Sequence, residues 1–225
     1  MDFADLHPWD LSPKEAVALQ RELAGRVVRR GAPRRVRRVA GADIAVGRGA
    51  KRATGAVVVL SYPELEILEV AVEEAPVTFP YVPGLLSFRE APVLRQAFRK
   101  LAGPIDLLFV DGQGYAHPRR FGLACHLGLL LDVPTVGVAK SRLLGEYEEP
   151  GVEAGSRAGL VDAGETVGTV LRTRTAVRPL YVSVGHRIGL DEAVAWVLRC
   201  GRGYRLPEPA RLADRAAGGR LPERL

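Results

Sequence analysis

This chain is poor in sulfur, histidine and aromatic side chains. Its 225 residues include two cysteines, one methionine, four histidines, two tryptophans, six tyrosines and six phenylalanines. Two cysteines cannot build a disulfide framework or a cysteine-rich zinc site. Cys125 and Cys200 lie inside apolar helical patterns without metal-ligand partners nearby, and read as buried reduced thiols. No apolar run approaches the ~18 residues that suggest a bilayer span. The opening MDFADLHPWD is acidic where a signal peptide is basic and then apolar. The expectation is a cytoplasmic protein with no membrane partner. There is no Walker loop and no Gly-x-Ser-x-Gly elbow, and Gly112-Gln113-Gly114 is too short to be a dinucleotide fingerprint.

What is plentiful is arginine. Lysine and arginine total 32 against 26 acidic residues, a net charge of +6, with a pI near 9.7. Arg26, Arg29, Arg30, Arg34, Arg35, Arg37 and Arg38 crowd one short region. Guanidinium forks bind phosphate bidentately, so the run fits a polyanion footprint; it equally fits a solvated face. Hydrophobic content of 47% and charged content of 26% are those of a soluble globular protein. The length fits one domain over residues 1–225, with a frayed tail after about residue 217.

In chain order, Ser12-Pro13-Lys14-Glu15 is a capping box with proline at the first helical position, predicting a helix from Pro13 to Arg30 that Gly31-Ala32-Pro33 breaks. Arg35 to Val46 reads as a strand carrying Asp43. A turn over Gly47 to Gly49 follows, then strands over Thr54 to Ser61 and Leu65 to Val72, forming an antiparallel meander. Two prolines and a glycine shape the loop Phe79 to Leu86. Ser87-Phe88-Arg89-Glu90 reads as a second capping box, opening a helix to about Leu101.

The stretch from Ile105 to Lys140 has the pattern of a βαβ unit. An apolar run ends at Val110, helical spacing runs from Phe121 to Leu131, and a second apolar run spans Pro134 to Ala139. Beyond it come a hairpin over Ala158 to Val161 and Thr166 to Arg172, and a strand over Pro179 to Val184. A helix capped by Asp191 ends at Cys200-Gly201, and a final helix starting near Pro207-Glu208-Pro209 carries Asp214. The predicted class is α/β, a mixed central sheet with an antiparallel meander followed by parallel strands, flanked by helices.

Ligands of such sheets sit beyond the carboxyl ends of the parallel strands. Asp111 and Lys140 both fall there. A carboxylate and an ammonium on one rim suit a metal and a phosphate; a helix-capping aspartate and a solvated lysine suit the same spacing. Asp43, on an apolar strand, is costly unless paired or metal-bound, or else it turns outward on an edge. Glu90 fills the third position of its capping box, and Asp214 has the pattern of an exposed charge. Taken together, Asp43, Glu90, Asp111 and Asp214 make an oxygen-only set, which selects Mg²⁺ or Mn²⁺ over zinc. Two such ions ~3.5–4 Å apart can drive an in-line phosphodiester displacement. His7 and His126 read as structural. His117 either assists at the site or caps a helix, and His186 is undecided.

The order meander with Asp, helix with Glu, strand with Asp and last helix with Asp resembles the ribonuclease H-like nucleases. Within them the chain closely resembles the endonuclease V family. The resemblance rests on Val39-Ala40-Gly41-Ala42-Asp43, on Pro80-Tyr81-Val82-Pro83-Gly84-Leu85-Leu86-Ser87-Phe88-Arg89-Glu90, and on Val110-Asp111-Gly112-Gln113-Gly114-Tyr115-Ala116-His117-Pro118-Arg119. Gly137-Val138-Ala139-Lys140-Ser141 and Tyr204 to Arg211 extend it. It implies that Asp43, Asp111 and Glu90 bind the metal, with Asp214, where some members carry histidine, as a further ligand. It also implies that Lys140 contacts the scissile phosphate, and Asp43, Glu90, Asp111 and Lys140 would be the catalytic set. Tyr81, in the Pro80–Pro83 loop, would be a wedge pushed into the duplex while the damaged base flips out. Pro83, Gly84, Leu85, Gly112 and His117 would complete the substrate contacts.

The implied activity is Mg²⁺-dependent hydrolysis of the second phosphodiester 3′ to deoxyinosine in DNA, leaving 3′-hydroxyl and 5′-phosphate ends, by a monomer; Mn²⁺ is a plausible substitute. The runners-up are a nuclease of the same class acting on inosine in RNA or on branched DNA, and a non-catalytic nucleic-acid-binding module.

Overall fold

The computed structural model describes residues 1–47 and 51–220. Part of the expected Gly47–Gly49 turn and the last five residues of the tail lie outside the described residues. Helix α1 (Pro13–Ala24) opens as read: Glu15 N–H donates to Ser12 Oγ at 3.3 Å, and Ser12 N–H donates back to the Glu15 carboxylate at 2.8 Å. It stops at Ala24 rather than Arg30. Val27 and Val28 are poor helix formers, and Val28 N–H donates to His186 Nδ1 at 3.2 Å instead of to a carbonyl one turn back.

Eight strands make one sheet: β1 (Arg38–Val46), β2 (Arg52–Ser61), β3 (Ile67–Pro76), β4 (Leu107–Val110), β5 (Thr135–Ala139), β6 (Arg157–Asp162), β7 (Glu165–Leu171) and β8 (Leu180–His186). Their spatial order is β3-β2-β1-β4-β5-β8-β7-β6. The first three form the antiparallel meander, β1, β4 and β5 are parallel, and β8, β7 and β6 continue antiparallel. The expected mixed sheet is present, and α3 (Leu123–Leu131) is the crossover of the central βαβ unit.

Helices α2 (Leu86–Arg99) and α3 cover one face, packing Leu94, Phe98 and Leu127 on Ala40, Val57, Leu108 and Val110. On the other lie α4 (Leu190–Arg199) and α5 (Glu208–Ala217), packing Trp196, Leu212 and Ala213 among Val39, Val58, Phe109, Val136 and Val138. No described helix is long and apolar enough to cross a membrane.

Two helix starts differ from expectation. Helix α2 begins one residue before Ser87, its N-cap is Leu85, and no side chain caps it. Ser87 and Glu90 therefore form no capping box. Helix α4 is preceded by Gly189 at the cap, with Asp191 inside the first turn, where its charge favours the helix dipole without capping.

Candidate active site

Side chains alternate across a strand, so Val39, Gly41 and Asp43 share one face of β1, and Leu107, Phe109 and Asp111 share the same face of β4 and its continuation. Val136, Val138 and Lys140 have the corresponding parity along β5. That face is the one α5 covers. Asp111 N–H donates to the Ala42 carbonyl at 3.1 Å, extending the β1–β4 ladder and bringing Asp111 level with Asp43. Helix α5 adds the third carboxylate. It comes unusually close to β1, because a Cβ on Gly41 would overlap the Pro209 carbonyl.

Carboxylate oxygens of Asp43, Asp111 and Asp214 consequently lie within 4.8 Å of one another. Lys140 Nζ is 2.6 Å from Asp111 Oδ2 and 2.5 Å from Asp214 Oδ1. Arg205 Nη2 holds this lysine by its backbone, donating to the Lys140 carbonyl at 2.6 Å and to the Pro179 carbonyl at 2.7 Å.

The electrostatics are those of a site with too much negative charge. Burial and the neighbouring Asp111 push the Asp43 carboxyl up to about 7. Burial and the Asp43 charge push Glu90 up to about 8. Asp111 is also raised, by burial, against the opposing pull of Lys140. Burial works against the Lys140 charge, but its bonds to Asp111 and Asp214 prevail and lift it to about 12. Glu90 is close enough for these couplings, yet it stands outside the tight set of three aspartates.

This set fits a hard divalent cation. The donors are all carboxylate oxygens, and Asp111 Oδ2 is buried with no aligned hydrogen-bond donor, 2.6 Å from the Lys140 ammonium. Asp43, Asp111 and Asp214 would hold the ion, with Glu90 at its margin.

Asp111 also lines a neighbouring cavity of about 180 Å³, whose wall includes Tyr81, Pro83, Gly84, Gly112 and His117. Tyr81 is 72% exposed at its lip. Gly84 has φ +79°, a conformation that favours glycine and lets the chain turn into α2. Leu85 does not line the cavity. It is buried beneath the loop against Phe79 and Phe88, and Leu86 takes the wall position. With α2 starting at Leu86, the two leucines point in different directions. His117 is buried, and burial together with Arg119 lowers its imidazole to about 4, so it is neutral; its Nδ1 accepts from Arg119 N–H at 3.2 Å.

The loop is held by side chains that sequence reasoning did not single out. Gln20 Nε2 donates to the Gly84 carbonyl at 3.0 Å and to the Phe121 carbonyl at 2.7 Å, while its Oε1 accepts from Arg119 Nε. Arg119 Nη2 donates to Gly84 O at 2.7 Å, and Arg89 Nη1 to Phe79 O at 2.9 Å. One signal was available: Gln20 interrupts the buried stripe Ala16–Gln20–Leu23 of α1, where a polar residue must find partners.

The remaining histidines are engaged in hydrogen bonds and aromatic packing away from the aspartates. His7 and His126 share a 2.7 Å Nε2–Nε2 hydrogen bond in an aromatic nest with Trp9 and Phe88, and His186 ties Val28 to β8. Both cysteines are free and buried. Within the arginine run, Arg29 stacks on Tyr115 at 4.1 Å and pairs with Glu165, and Arg38 pairs with Glu69. Arg26, Arg30, Arg34, Arg35 and Arg37 are exposed.

A family model described as Endonuclease V matches residues 21–215. The chain belongs to the endonuclease V family. Membership makes it a nuclease and makes its sheet ribonuclease H-like. It is 54% identical to the Endonuclease V of Gloeobacter violaceus over 211 residues, spanning 92% of this chain and 86% of that one. The crystal structure of Endonuclease V from Streptomyces avermitilis superposes with a TM-score of 0.88 at 45% identity, covering 94% of this chain and 93% of the other. Endonuclease V of Ciona intestinalis superposes with a TM-score of 0.81 at 28% identity, covering 92% and 96%. That structure is a complex with a 24mer DNA containing an inosine followed by a ribo-adenosine.

Proposed function

We propose that the chain is a divalent-metal-dependent repair endonuclease that recognises deoxyinosine in DNA. It would hydrolyse the second phosphodiester on the 3′ side, leaving 3′-hydroxyl and 5′-phosphate ends. One observation carries the reading: the aspartate triad with Lys140 adjoins the small cavity under the Tyr81 lip, and Asp111 belongs to both. A flipped base in the cavity thus puts its own backbone beside the carboxylates. The inosine-containing DNA in the Ciona intestinalis complex supports the substrate class.

In this reading Asp43, Asp111 and Asp214 hold Mg²⁺ or Mn²⁺, with Glu90 completing the set. When bound, the cation supplies Lewis-acid stabilisation of the phosphate and a water of lowered pKa. Lys140 meets the non-bridging phosphate oxygens through its ammonium. Tyr81 fills the stack vacated by the extruded base, at a cost lowest for a mispaired one. Arg37 and Arg38 bond to Asp106 at the ends of β1 and β4 opposite to Asp43 and Asp111, so the arginine run is no part of this reading. Action as a monomer is part of this reading. The ribo-adenosine following the inosine in the Ciona intestinalis complex favours a second reading, cleavage of inosine-containing RNA by the same machinery.

End-labelled duplexes with one deoxyinosine, one inosine in RNA, or neither separate these readings when incubated with Mg²⁺ and with chelator. A single metal-dependent nick at the second bond 3′ to deoxyinosine is the expected result, abolished in Asp43→Ala and Asp111→Ala. Cleavage of the RNA alone would replace the DNA reading. Full cleavage by either aspartate variant would overturn the metal assignment.

A further inference from the structure

The antiparallel ladder between β5 and β8 ends at the Ala139–Tyr181 pair. Lys140 is the first residue beyond β5, and Pro179, just before β8, has no N–H with which to carry the ladder on. The carbonyls of both residues therefore take their donor from elsewhere. Arg205 supplies it. Its Nη2 donates to the Lys140 carbonyl at 2.6 Å and to the Pro179 carbonyl at 2.7 Å, closing the sheet where the backbone does not. Thr173 Oγ1 donates to the Arg205 carbonyl at 2.6 Å, which fixes the backbone from which the guanidinium reaches.

Arg205 also lies just before Pro207, the N-cap of α5, the helix that carries Asp214. One side chain thereby ties the lead-in of α5 to the end of β5 and the start of β8, segments 65 and 26 residues away in the chain. Lys140 and Asp214 project from two of the pieces it joins, and their side chains meet at 2.5 Å. Arg205 Nε is buried without a partner, so the guanidinium sits where the two carbonyls hold it and not where all its donors are met.

We propose that Arg205 is a positioning residue for the cleavage step, acting through Lys140. By fixing the Lys140 backbone relative to β8 and to the start of α5, it sets where the ammonium stands between Asp111 and Asp214, and so where it meets the phosphate. In this role Arg205 touches neither the substrate nor the cation. Catalytic groups must be held to within about 0.5 Å, and misplacement by ~1 Å can cost a hundredfold in rate. The role rests on the endonuclease reading of the site.

The test is single-turnover cleavage of a deoxyinosine duplex with Mg²⁺ and excess enzyme, for the wild type, Arg205→Met and Arg205→Lys, with thermal unfolding of each. Methionine keeps an apolar stem and removes the donors, whereas lysine restores a cationic donor. The rate constant at saturating enzyme should fall by about ten- to a hundredfold in Arg205→Met and by less in Arg205→Lys. The half-saturating concentration should stay within about twofold of wild type. Excess enzyme separates this from instability, because an unfolded fraction raises the apparent half-saturating concentration and leaves the saturating rate constant unchanged. A wild-type rate constant in Arg205→Met would overturn the proposal and leave the endonuclease reading standing. A defect confined to half-saturation would make Arg205 a residue of stability or substrate affinity and also overturn it. If Arg205→Met does not fold, Arg205→Lys decides, with a fall of about threefold or more expected and an unchanged rate constant overturning the proposal. A wild type that leaves the duplex intact would remove the reading on which the role rests.

Discussion

Gly41 of β1 lies directly against the Pro209 carbonyl, so closely that a Cβ at position 41 would overlap it. This contact seats α5 on the sheet and carries Asp214, five residues further along the chain, to the carboxylates of Asp43 and Asp111. A methyl group there must push the helix away. Gly41→Ala should therefore cost roughly 1–3 kcal/mol, as overpacking does. It should also lower cleavage more than an equally destabilising substitution far from the site. Thermal unfolding and single-turnover rates on the same preparations check both parts; a variant with wild-type rate would detach α5 placement from activity.

The carboxylate cluster makes metal-free stability depend on pH. Asp43, at about 7 in the folded chain, and Glu90, at about 8, both sit above their ordinary values, raised by burial and then by neighbouring negative charge. Between the ordinary values and these, the folded state holds protons that the unfolded state has released. Stability contributed by these groups is complete at about pH 4 and is lost as pH rises through 7 to 8. Asp43→Asn should raise stability in chelator at pH 8 by on the order of 2–4 kcal/mol and change it little near pH 4. Excess Mg²⁺ should raise Tm at pH 8 more for the wild type than for the variant. Parallel melting curves for the two proteins at both pH values would contradict this account.

Tyr81 is 72% exposed and contributes little to the core. Tyr81→Ala should leave Tm within about a degree of wild type. A base-stacking contact is worth about 1–3 kcal/mol by alanine substitution, so affinity for a deoxyinosine duplex should fall by one to two orders of magnitude. Fluorescence anisotropy with labelled duplex measures this. Tyr81→Phe, which keeps the ring, should recover most of the loss, and equal defects in both variants would point to the hydroxyl rather than the stack.

Gln20 ties α1 to the loop, with its amide bonded to the Gly84 and Phe121 carbonyls and to Arg119. Gln20→Leu keeps the shape but leaves those partners unmatched, at about 1–3 kcal/mol. With the Phe79–Leu86 loop less constrained, half-saturation should rise more than the maximal single-turnover rate falls. A loss confined to the maximal rate would place the effect at the carboxylates instead of the loop.

Local pattern was a good guide where the determinants are local. Ser12 and Glu15 cap α1, Pro207 precedes α5, and the apolar runs ending at Val110 and Ala139 are adjacent parallel strands. It misled where a long-range contact wins. The Pro13–Arg30 helix is cut short because His186, from the far end of the chain, captures the Val28 amide. Ser87 and Glu90 have capping-box spacing, but α2 starts earlier, leaving Ser87 buried and unpaired and Glu90 coupled to Asp43. The same two-residue offset buries Leu85 and places Leu86 at the cavity wall.

By itself the sequence determined which chemistry was available. An all-carboxylate set with one lysine and no cysteine–histidine cluster selects a hard cation, and period-two alternation places Asp43 and Asp111 on one face of adjacent strands. Only the tertiary structure decided that Asp214 joins them and that Lys140 bridges Asp111 and Asp214. It alone also left Ser87 and Gln113 unpaired among the residues around the adjoining cavity. Residue identity sets charge and hydrogen-bonding capacity, whereas the closeness of helix to sheet and the partner each buried atom finds depend on how distant segments pack.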